Sequence, residues 1–438
     1  MKIYEYEIDV TSAVIILATS LICYSGGFDN NFLPSWDDSL YVSSNPDIQS
    51  ITIANLKKIW TSFYVGNYAP AQMLSYMIDF QIWGLKPFGY ILTNVILHGL
   101  NGILFFAIAS KISPARHWVL LGTLIFIAHP VQVESVVWIS QRKNVLSMTF
   151  FLSSMLCYTN YCNLNARKYV NYIVSFVFFG LSLLAKPIAV ILPVVLLIYD
   201  ATLRADKKNC LVDKIPYIAM AIAASMLTLI SQAPERGGGM VDSGMHGGSI
   251  IATVLTMLTV FTKYLTNIFL PVNLSAFYDI KIKNGIDSNV IISFLSLSAT
   301  IGTLWFFPKN KRHPALFWLL FFFVAFIPVS QIVPLITLMN DRYLYFPMLG
   351  FCGYAILLLD HITSYNLTVK RVGYSLLAGC CLILGSLTWQ RAHTWKNTVS
   401  LWQDATIKQP GAVIPWYGLA LHYDKAGNRE MAIKLYRQ

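Results

Sequence analysis

Charge is scarce in this sequence. Asp, Glu, Lys and Arg make up 12% of its 438 residues, about half the usual share of a soluble globular domain, too little to face water over a surface of that size. A disulfide scaffold and a cysteine metal centre are also missing. Cys23, Cys157, Cys162, Cys352, Cys380 and Cys381 lie in or beside apolar runs and Cys210 in a basic loop, without framework or metal-ligand spacing. The glycines from Gly237 to Gly248 give no phosphate-loop pattern and read as a mobile loop. No small-residue cleavage site follows the first apolar span, Val10 to Tyr24, and an acidic rather than basic stretch precedes it. That span therefore reads as a retained anchor.

What the chain does have is apolar length. It is 56% hydrophobic with a mean hydropathy of +0.56, and helix-length apolar runs recur from end to end, which predicts an all-α, polytopic membrane helix bundle. The net charge of +11 does not point to nucleic acid, because the basic residues sit in short loops between apolar runs, where they orient helices in a bilayer. The clusters Lys111/Arg116, Arg167/Lys168, Arg204/Lys207/Lys208, Lys309/Lys311/Arg312 and Lys370/Arg371 can all be cytoplasmic only if Ile250 to Leu270 does not cross completely. Of twelve apolar candidates, eleven crossings are therefore expected, with Ile250 to Leu270 re-entrant or interfacial, the N-terminus inside and the C-terminus outside. Lys186-Pro187 is then the outer apex of a short hairpin. Residues 1–390 form the membrane domain on this reading.

Residues 391–438 differ in composition. Trp416, Leu419, Ala420, Tyr423, Gly427, Ala432 and Tyr436 fall at the spacing of one tetratricopeptide repeat, and Trp402, Ala405 and Pro410 fit the end of a preceding one. The segment reads as an incomplete repeat array that must lean on the membrane domain or continue into further repeats.

Polar residues on the expected outer side are the candidates for chemistry. Asp37 and Asp38 follow the first span; one could take a proton from an acceptor hydroxyl and the other hold a divalent cation or orient the acceptor. A solvated loop or a helix cap before Tyr41 explains them equally well. His129, Glu134, Arg142 and Lys143 crowd a short outer segment rich in apolar residues. Positive charge outside runs against the orientation rule, so either a lipid phosphate or an internal bridge from Glu134 to Arg142 or Lys143 should balance it. Arg342, in Asn340-Asp341-Arg342-Tyr343-Leu344-Tyr345, is a second phosphate ligand by the same argument, and Tyr343 and Tyr345 suit an interfacial belt or sugar stacking. Lys186 is a third cation, or a snorkelling side chain. A surface amphipathic helix is expected from Tyr68-Ala69-Pro70 to Trp83, and interhelical hydrogen bonds from Asn94, His98 and Asn101.

Taken together, these motifs resemble the GT-C membrane glycosyltransferases of the transmembrane-and-tetratricopeptide-repeat type, relatives of the protein O-mannosyltransferases. The resemblance covers nearly the whole chain. It rests on Trp36-Asp37-Asp38 with Asn45-Pro46, Thr93-Asn94 and His98, His129-Pro130-Val131 with Glu134 and Arg142-Lys143, Ala185-Lys186-Pro187 with Leu192-Pro193 and Asp200, Asp341 to Pro347, and the repeat. It implies a GT-C-like fold and an inverting transfer of sugar from a polyprenyl-phosphate carrier to a hydroxyl of an exported protein. The transfer is implied to take place on the outer face, and a bacterial inner-membrane location, with site and C-terminus on the periplasmic side, is expected. Asp37 is the implied base, with Asp38 and Glu134 beside it, and His129, Arg142, Lys143, Lys186 and Arg342 are the implied ligands of the donor phosphate. No redox cofactor is implied; a divalent cation, if used, would sit at Asp37 and Asp38. Ala69 and Tyr90 stand where such proteins commonly have Arg and His. Transfer to a lipid or glycan, and a non-catalytic repeat-bearing scaffold, are the alternatives.

Overall fold

The computed structural model describes residues 9–163, 167–204, 211–232, 245–364 and 366–438. Lys207, Lys208, Cys210 and most of the glycine-rich stretch from Arg236 lie outside them. Among the described residues the chain is helical without named strands, as expected of a chain whose backbone must satisfy its own hydrogen bonds in lipid. It opens with α1 (Val10–Tyr24), α2 (Ile53–Thr61), α3 (Pro70–Trp83), α4 (Pro87–Ile112), α5 (Arg116–Ala128), α6 (Val133–Val137), α7 (Arg142–Asn163), α8 (Lys168–Ala185) and α9 (Leu192–Thr202). It continues with α10 (Ile215–Ser231), α11 (Ile250–Phe269), α12 (Ser288–Gly302), α13 (Lys309–Val324), α14 (Pro347–Thr363) and α15 (Leu367–Thr394). The helices α16 (Thr398–Lys408), α17 (Val413–Lys425) and α18 (Arg429–Tyr436) complete it.

Eight described helices are long and apolar enough to cross a membrane, and nine if the α5–α6 pair, bent by 49° at His129-Pro130, counts as one. Their outward faces are the lipid-facing kind: Phe294, Leu295, Leu382 and Ile383 are all exposed. Inside, close approach and polar pairing replace hydrophobic drive. A Cβ at Gly102 of α4 would lie 2.7 Å from Ile127 and 2.8 Å from Ile16, so α1 and α5 close onto α4 there. Serines stitch α7 to α8, with Ser154 Oγ donating to Ser175 O at 2.7 Å and Ser182 Oγ to Ser147 O at 2.7 Å. The predicted polar face of α4 is used as expected: Asn94 donates to Val136 O, Asn101 to Val145 O, and His98 pairs with Tyr345 Oη at 2.8 Å.

The bundle has two distinguishable faces. At one, Asp200, Arg204, Asp213 and Lys214 form a buried ion network, with Arg204 3.0 Å from Asp213 and 3.1 Å from Asp200. The other carries the α1–α4 connection with α2 and α3, the α5–α7 bend and residues 327–346. Within α3, Met73, Tyr76 and Met77 are buried as expected, but so are the polar Gln72 and Asp79, while Ile78 and Ile82 are exposed, so the helix is not divided into an apolar and a polar face as an amphipathic surface helix would be. The C-terminal helices dock on this same face. Trp402, Ala405 and Leu419 make a small core of their own, and Asn31 N donates to Lys396 O at 2.9 Å and Lys408 Nζ to Leu274 O at 2.8 Å. Arg391 reaches Asp404 of α16 at 2.8 Å and Asp341 at 3.8 Å.

Candidate active site

The Asp37 loop is fixed before it reaches the site. Gly26 passes so close to α15 that a Cβ would lie 2.6 Å from Trp389 O, and Asn30 donates to Ala392 O at 2.9 Å. Trp36 then wedges into an indole cluster, stacked on Trp138 at 4.4 Å and edge-on to Trp402 at 5.1 Å. Its neighbour Asp37 is thereby presented to a cavity of about 610 Å³. Among the described residues no side-chain hydrogen bond or ion pair holds the Asp37 carboxylate.

Asp38 turns the other way. It is 1% exposed, and its oxygens accept from Leu33 N at 2.9 Å and from Ser140 N at 3.0 Å and Oγ. Burial pushes its carboxyl up to about 6, against those hydrogen bonds. The expected carboxylate pair is therefore not a pair facing one cavity: Asp37 lines the cavity, whereas Asp38 is buried and turned to Leu33 and Ser140. It is a clasp between the first loop and the α6–α7 turn.

Three of the expected phosphate ligands do converge on the cavity wall: Lys143, Lys186 and Arg342. Lys143 lies 5.2 Å from the Tyr41 ring centroid, and Lys186 Nζ donates to Asn144 Oδ1. Burial, then the Lys143 and Arg342 charges, hold the Lys186 amine well below the ordinary lysine range. Arg342 stands 5.5 Å over the Trp138 ring, and its side chain keeps 16% exposure. Glu134 does not reach the cavity. It pins Arg342 from behind, accepting from its backbone N at 2.9 Å and pairing with its guanidinium, so it stands behind Arg342 and not beside Asp37, and its bridge goes to Arg342 where the sequence suggested Arg142 or Lys143.

Two expected ligands lie elsewhere. Arg142 has no exposed side-chain surface and pairs with Asp79, while its nitrogens donate to Asn94 Oδ1 and Tyr90 O, both at 2.8 Å. The internal-bridge reading was right in kind and wrong in partner, since Asp79 lies on α3, 63 positions away in sequence. His129 is a neutral imidazole with both nitrogens in use, Nε2 on Ile268 O at 2.9 Å and Nδ1 accepting from Val131 N at 3.3 Å. It braces the helix bend and has no hydrogen left for a phosphate. Asp341, part of the same motif, is also buried, accepting from Tyr278 Oη at 2.5 Å. Burial carries it up to about 7 against the pull of Arg391.

The wall also holds Trp138, Gln141 and Asn340 of the motifs read from the sequence, and Asn67, Ile188, Val190, Val329 and Leu335, which the sequence did not single out. Nothing in the sequence marks the apolar residues as cavity wall. The cavity wall thus combines one unpaired carboxylate, three basic side chains from three separate segments, and apolar residues. It suits an amphiphile with an anionic head.

Fold and cavity define an integral membrane protein with a cavity lined by Asp37, Lys143, Lys186 and Arg342 on one face of its helix bundle. Sequence comparison places the homologues of the chain among the transmembrane-and-tetratricopeptide-repeat O-mannosyltransferases, the family its motifs resemble. The chain is 26% identical over 300 residues to mouse protein O-mannosyl-transferase TMTC2, covering 61% of this chain and 34% of that protein. It is 21% identical over 494 aligned positions to mouse protein O-mannosyl-transferase TMTC3, covering 99% of this chain and 51% of that protein. The chain thus spans about half, or less, of the length of these relatives. No protein-family model matches it. Among solved structures it is similar to ArnT of Cupriavidus metallidurans bound to undecaprenyl phosphate, with TM-score 0.44, 13% identity, 97% of this chain and 74% of that one. It is also similar to the Archaeoglobus fulgidus oligosaccharyltransferase, with TM-score 0.48, 13% identity, 97% of this chain and 60% of that one.

Proposed function

We propose that the chain is a membrane glycosyltransferase that moves a sugar from a polyprenyl-phosphate carrier to a hydroxyl of an exported protein, with inversion. The observation that carries this reading is the unpaired Asp37 carboxylate sharing one cavity with Lys143, Lys186 and Arg342. Asp37 removes the proton from the acceptor hydroxyl as its oxygen attacks the anomeric carbon from the face opposite the phosphate. The bond from that carbon to the phosphate oxygen breaks and its electron pair stays on the phosphate, where the three cations stabilise the added charge. The carrier chain lies along the lane of Ile188, Val190, Val329 and Leu335. An occluded cavity with Asp37 locked in an ion pair would have favoured the scaffold reading. The cavity is open and Asp37 makes no such pair among the described residues, which supports an enzyme.

Asp37→Asn keeps volume and removes basicity. It should lower transfer by roughly 10²- to 10⁴-fold while the protein inserts and solubilises as wild type. The assay is intact-mass analysis of exported proteins from wild-type, deletion and Asp37→Asn strains: a mass increment present only in wild type supports protein O-glycosylation. An increment that survives in the variant removes Asp37 as base. A glycan change confined to lipids or polysaccharide supports the other acceptor class.

The proposed path has eleven crossings, in order α1, α4, α5, α7, α8, α9, α10, α12, α13, α14 and α15, with the cavity on the outer, periplasmic side. The position of α11 supports it. Its start lies beside His246, which bonds Leu335 O at 2.8 Å, and its end at Ile268 bonds His129. Both ends therefore meet the cavity face, as a helix lying along the outer interface would. The C-terminal helices, read as repeats that present the acceptor, then sit at the mouth of the site, and Ile414 of α17 lines the cavity itself.

A further inference from the structure

Asn144 is a buried carboxamide whose partners include two of the cavity's cations. It is the third residue of α7, next to Lys143, and has no exposed surface. Its Oδ1 accepts from Lys186 Nζ, and its Nδ2 donates to Ser135 Oγ at 2.9 Å and to Arg342 O at 3.3 Å. Lys186 and Arg342 lie 42 and 198 positions further along the chain, so this one amide ties together three separate segments of the cavity wall. Each cation is also gripped at its main chain. Ser147, on the next turn of α7, donates from its hydroxyl to Lys186 O at 3.4 Å, and Glu134 accepts from Arg342 N at 2.9 Å. Asn144 adds what those bonds lack: among the described residues it supplies the one hydrogen-bond acceptor of the Lys186 ammonium.

The residue type matters as much as its place. Lys143 and Arg342 both repel the Lys186 charge, so three cations on one wall have to be held in position before an anion binds. A carboxylate at position 144 would hold Lys186 but cancel its charge, and an apolar side chain would leave the ammonium without an acceptor. A carboxamide takes one N–H of the ammonium and carries no charge. The Lys186 charge stays uncancelled, and two further N–H donors remain for a ligand in the cavity that Lys186 lines. The other end of the same amide, bonded to Arg342 O, fixes the main chain of the second cation. We propose that Asn144 is a positioning residue that holds Lys186, together with Arg342, as one cradle for the phosphate of the lipid-linked donor, an inference that rests on the cavity being the donor site.

The test uses the full chain in detergent and two probes of equal chain length, polyprenyl phosphate and the uncharged polyprenol. Wild type should bind the phosphate more tightly than the alcohol. Asn144→Leu should weaken the phosphate about fivefold to tenfold and leave the alcohol within about twofold, since a charge-assisted contact to the phosphate is lost and the apolar contacts are kept. Asn144→Asp keeps the volume and the acceptor oxygen but pairs its charge with Lys186, so it should lose the phosphate preference by a similar or larger factor; it also decides the case if Asn144→Leu does not fold. In a Lys186→Met background the Asn144→Leu penalty should shrink to about twofold or less, because the two residues act as a unit. Equal weakening of phosphate and alcohol by both variants would make Asn144 structural and overturn the inference. So would wild-type phosphate affinity in Asn144→Asp, or an Asn144→Leu penalty undiminished beside Lys186→Met. If wild type binds the phosphate no more tightly than the alcohol, the donor-site reading itself falls; if it prefers the phosphate and both variants keep that preference, only this inference does.

Discussion

Replacing Arg142 by methionine should destabilise the protein without touching donor recognition. The guanidinium lies wholly inside, paired with Asp79, bonded to Asn94 Oδ1 and Tyr90 O, and 4.6 Å from the Tyr76 ring centroid. Removing it leaves the Asp79 carboxylate buried with an uncompensated charge, a loss that typically costs about 3–5 kcal/mol. The orphaned acceptors, Asn94 Oδ1, Tyr90 O and Ser75 O, overlap with that figure and do not simply add to it. Adding Asp79→Leu should recover at least half of the loss, since an apolar pair leaves no stranded charge. The assay is thermal inactivation of detergent-solubilised protein followed by size exclusion, with polyprenyl-phosphate binding measured on the surviving folded fraction. Arg342→Met should lose phosphate affinity, because part of its side chain faces the cavity, and should also cost stability, because it strands the buried Glu134 carboxylate. An Arg142→Met protein that melts like wild type but binds the carrier tenfold more weakly would refute this reasoning and return Arg142 to the donor site.

Asp38 gives the stability a pH slope. Its folded value of about 6 lies above the unfolded value near 3.8, so the folded state binds the proton more tightly. The stabilisation is full below about pH 3.8 and is lost as pH rises through about 6. Asp38→Asn should flatten this slope in melts across pH 4 to 7. Trp402→Ala should loosen the C-terminal helices by about 3–5 kcal/mol, because that indole is 2% exposed and is the edge on which Trp36 rests. Limited proteolysis should then cut between residues 395 and 438 faster than in wild type, with transfer reduced as the Trp36–Asp37 turn loses its support. A periplasmic reporter fused after Gln438 should be active and one at Lys311 silent; activity at both positions would refute the eleven-crossing path.

The sequence by itself determined the class. Low charge, recurrent apolar runs and basic loops leave a helical membrane bundle as the way to satisfy the backbone in lipid, and Trp36-Asp37-Asp38, Lys143, Lys186 and Arg342 were legible as outer-side polar groups out of keeping with their surroundings. What each polar group does was decided only by packing. Asp37 and Asp38 are chemically alike and adjacent, yet a turn of backbone gives one the cavity and the other Ser140. Arg142 and Lys143 are likewise adjacent cations at the start of one helix, but the helical twist sends Arg142 to Asp79 on α3 and Lys143 to the cavity. Local sequence fixes neither partner, because both come from segments remote in the chain. The same holds for Gln141: in the sequence it is an ordinary neutral side chain, and only the closure of the surrounding helices makes its oxygen a buried acceptor with no donor.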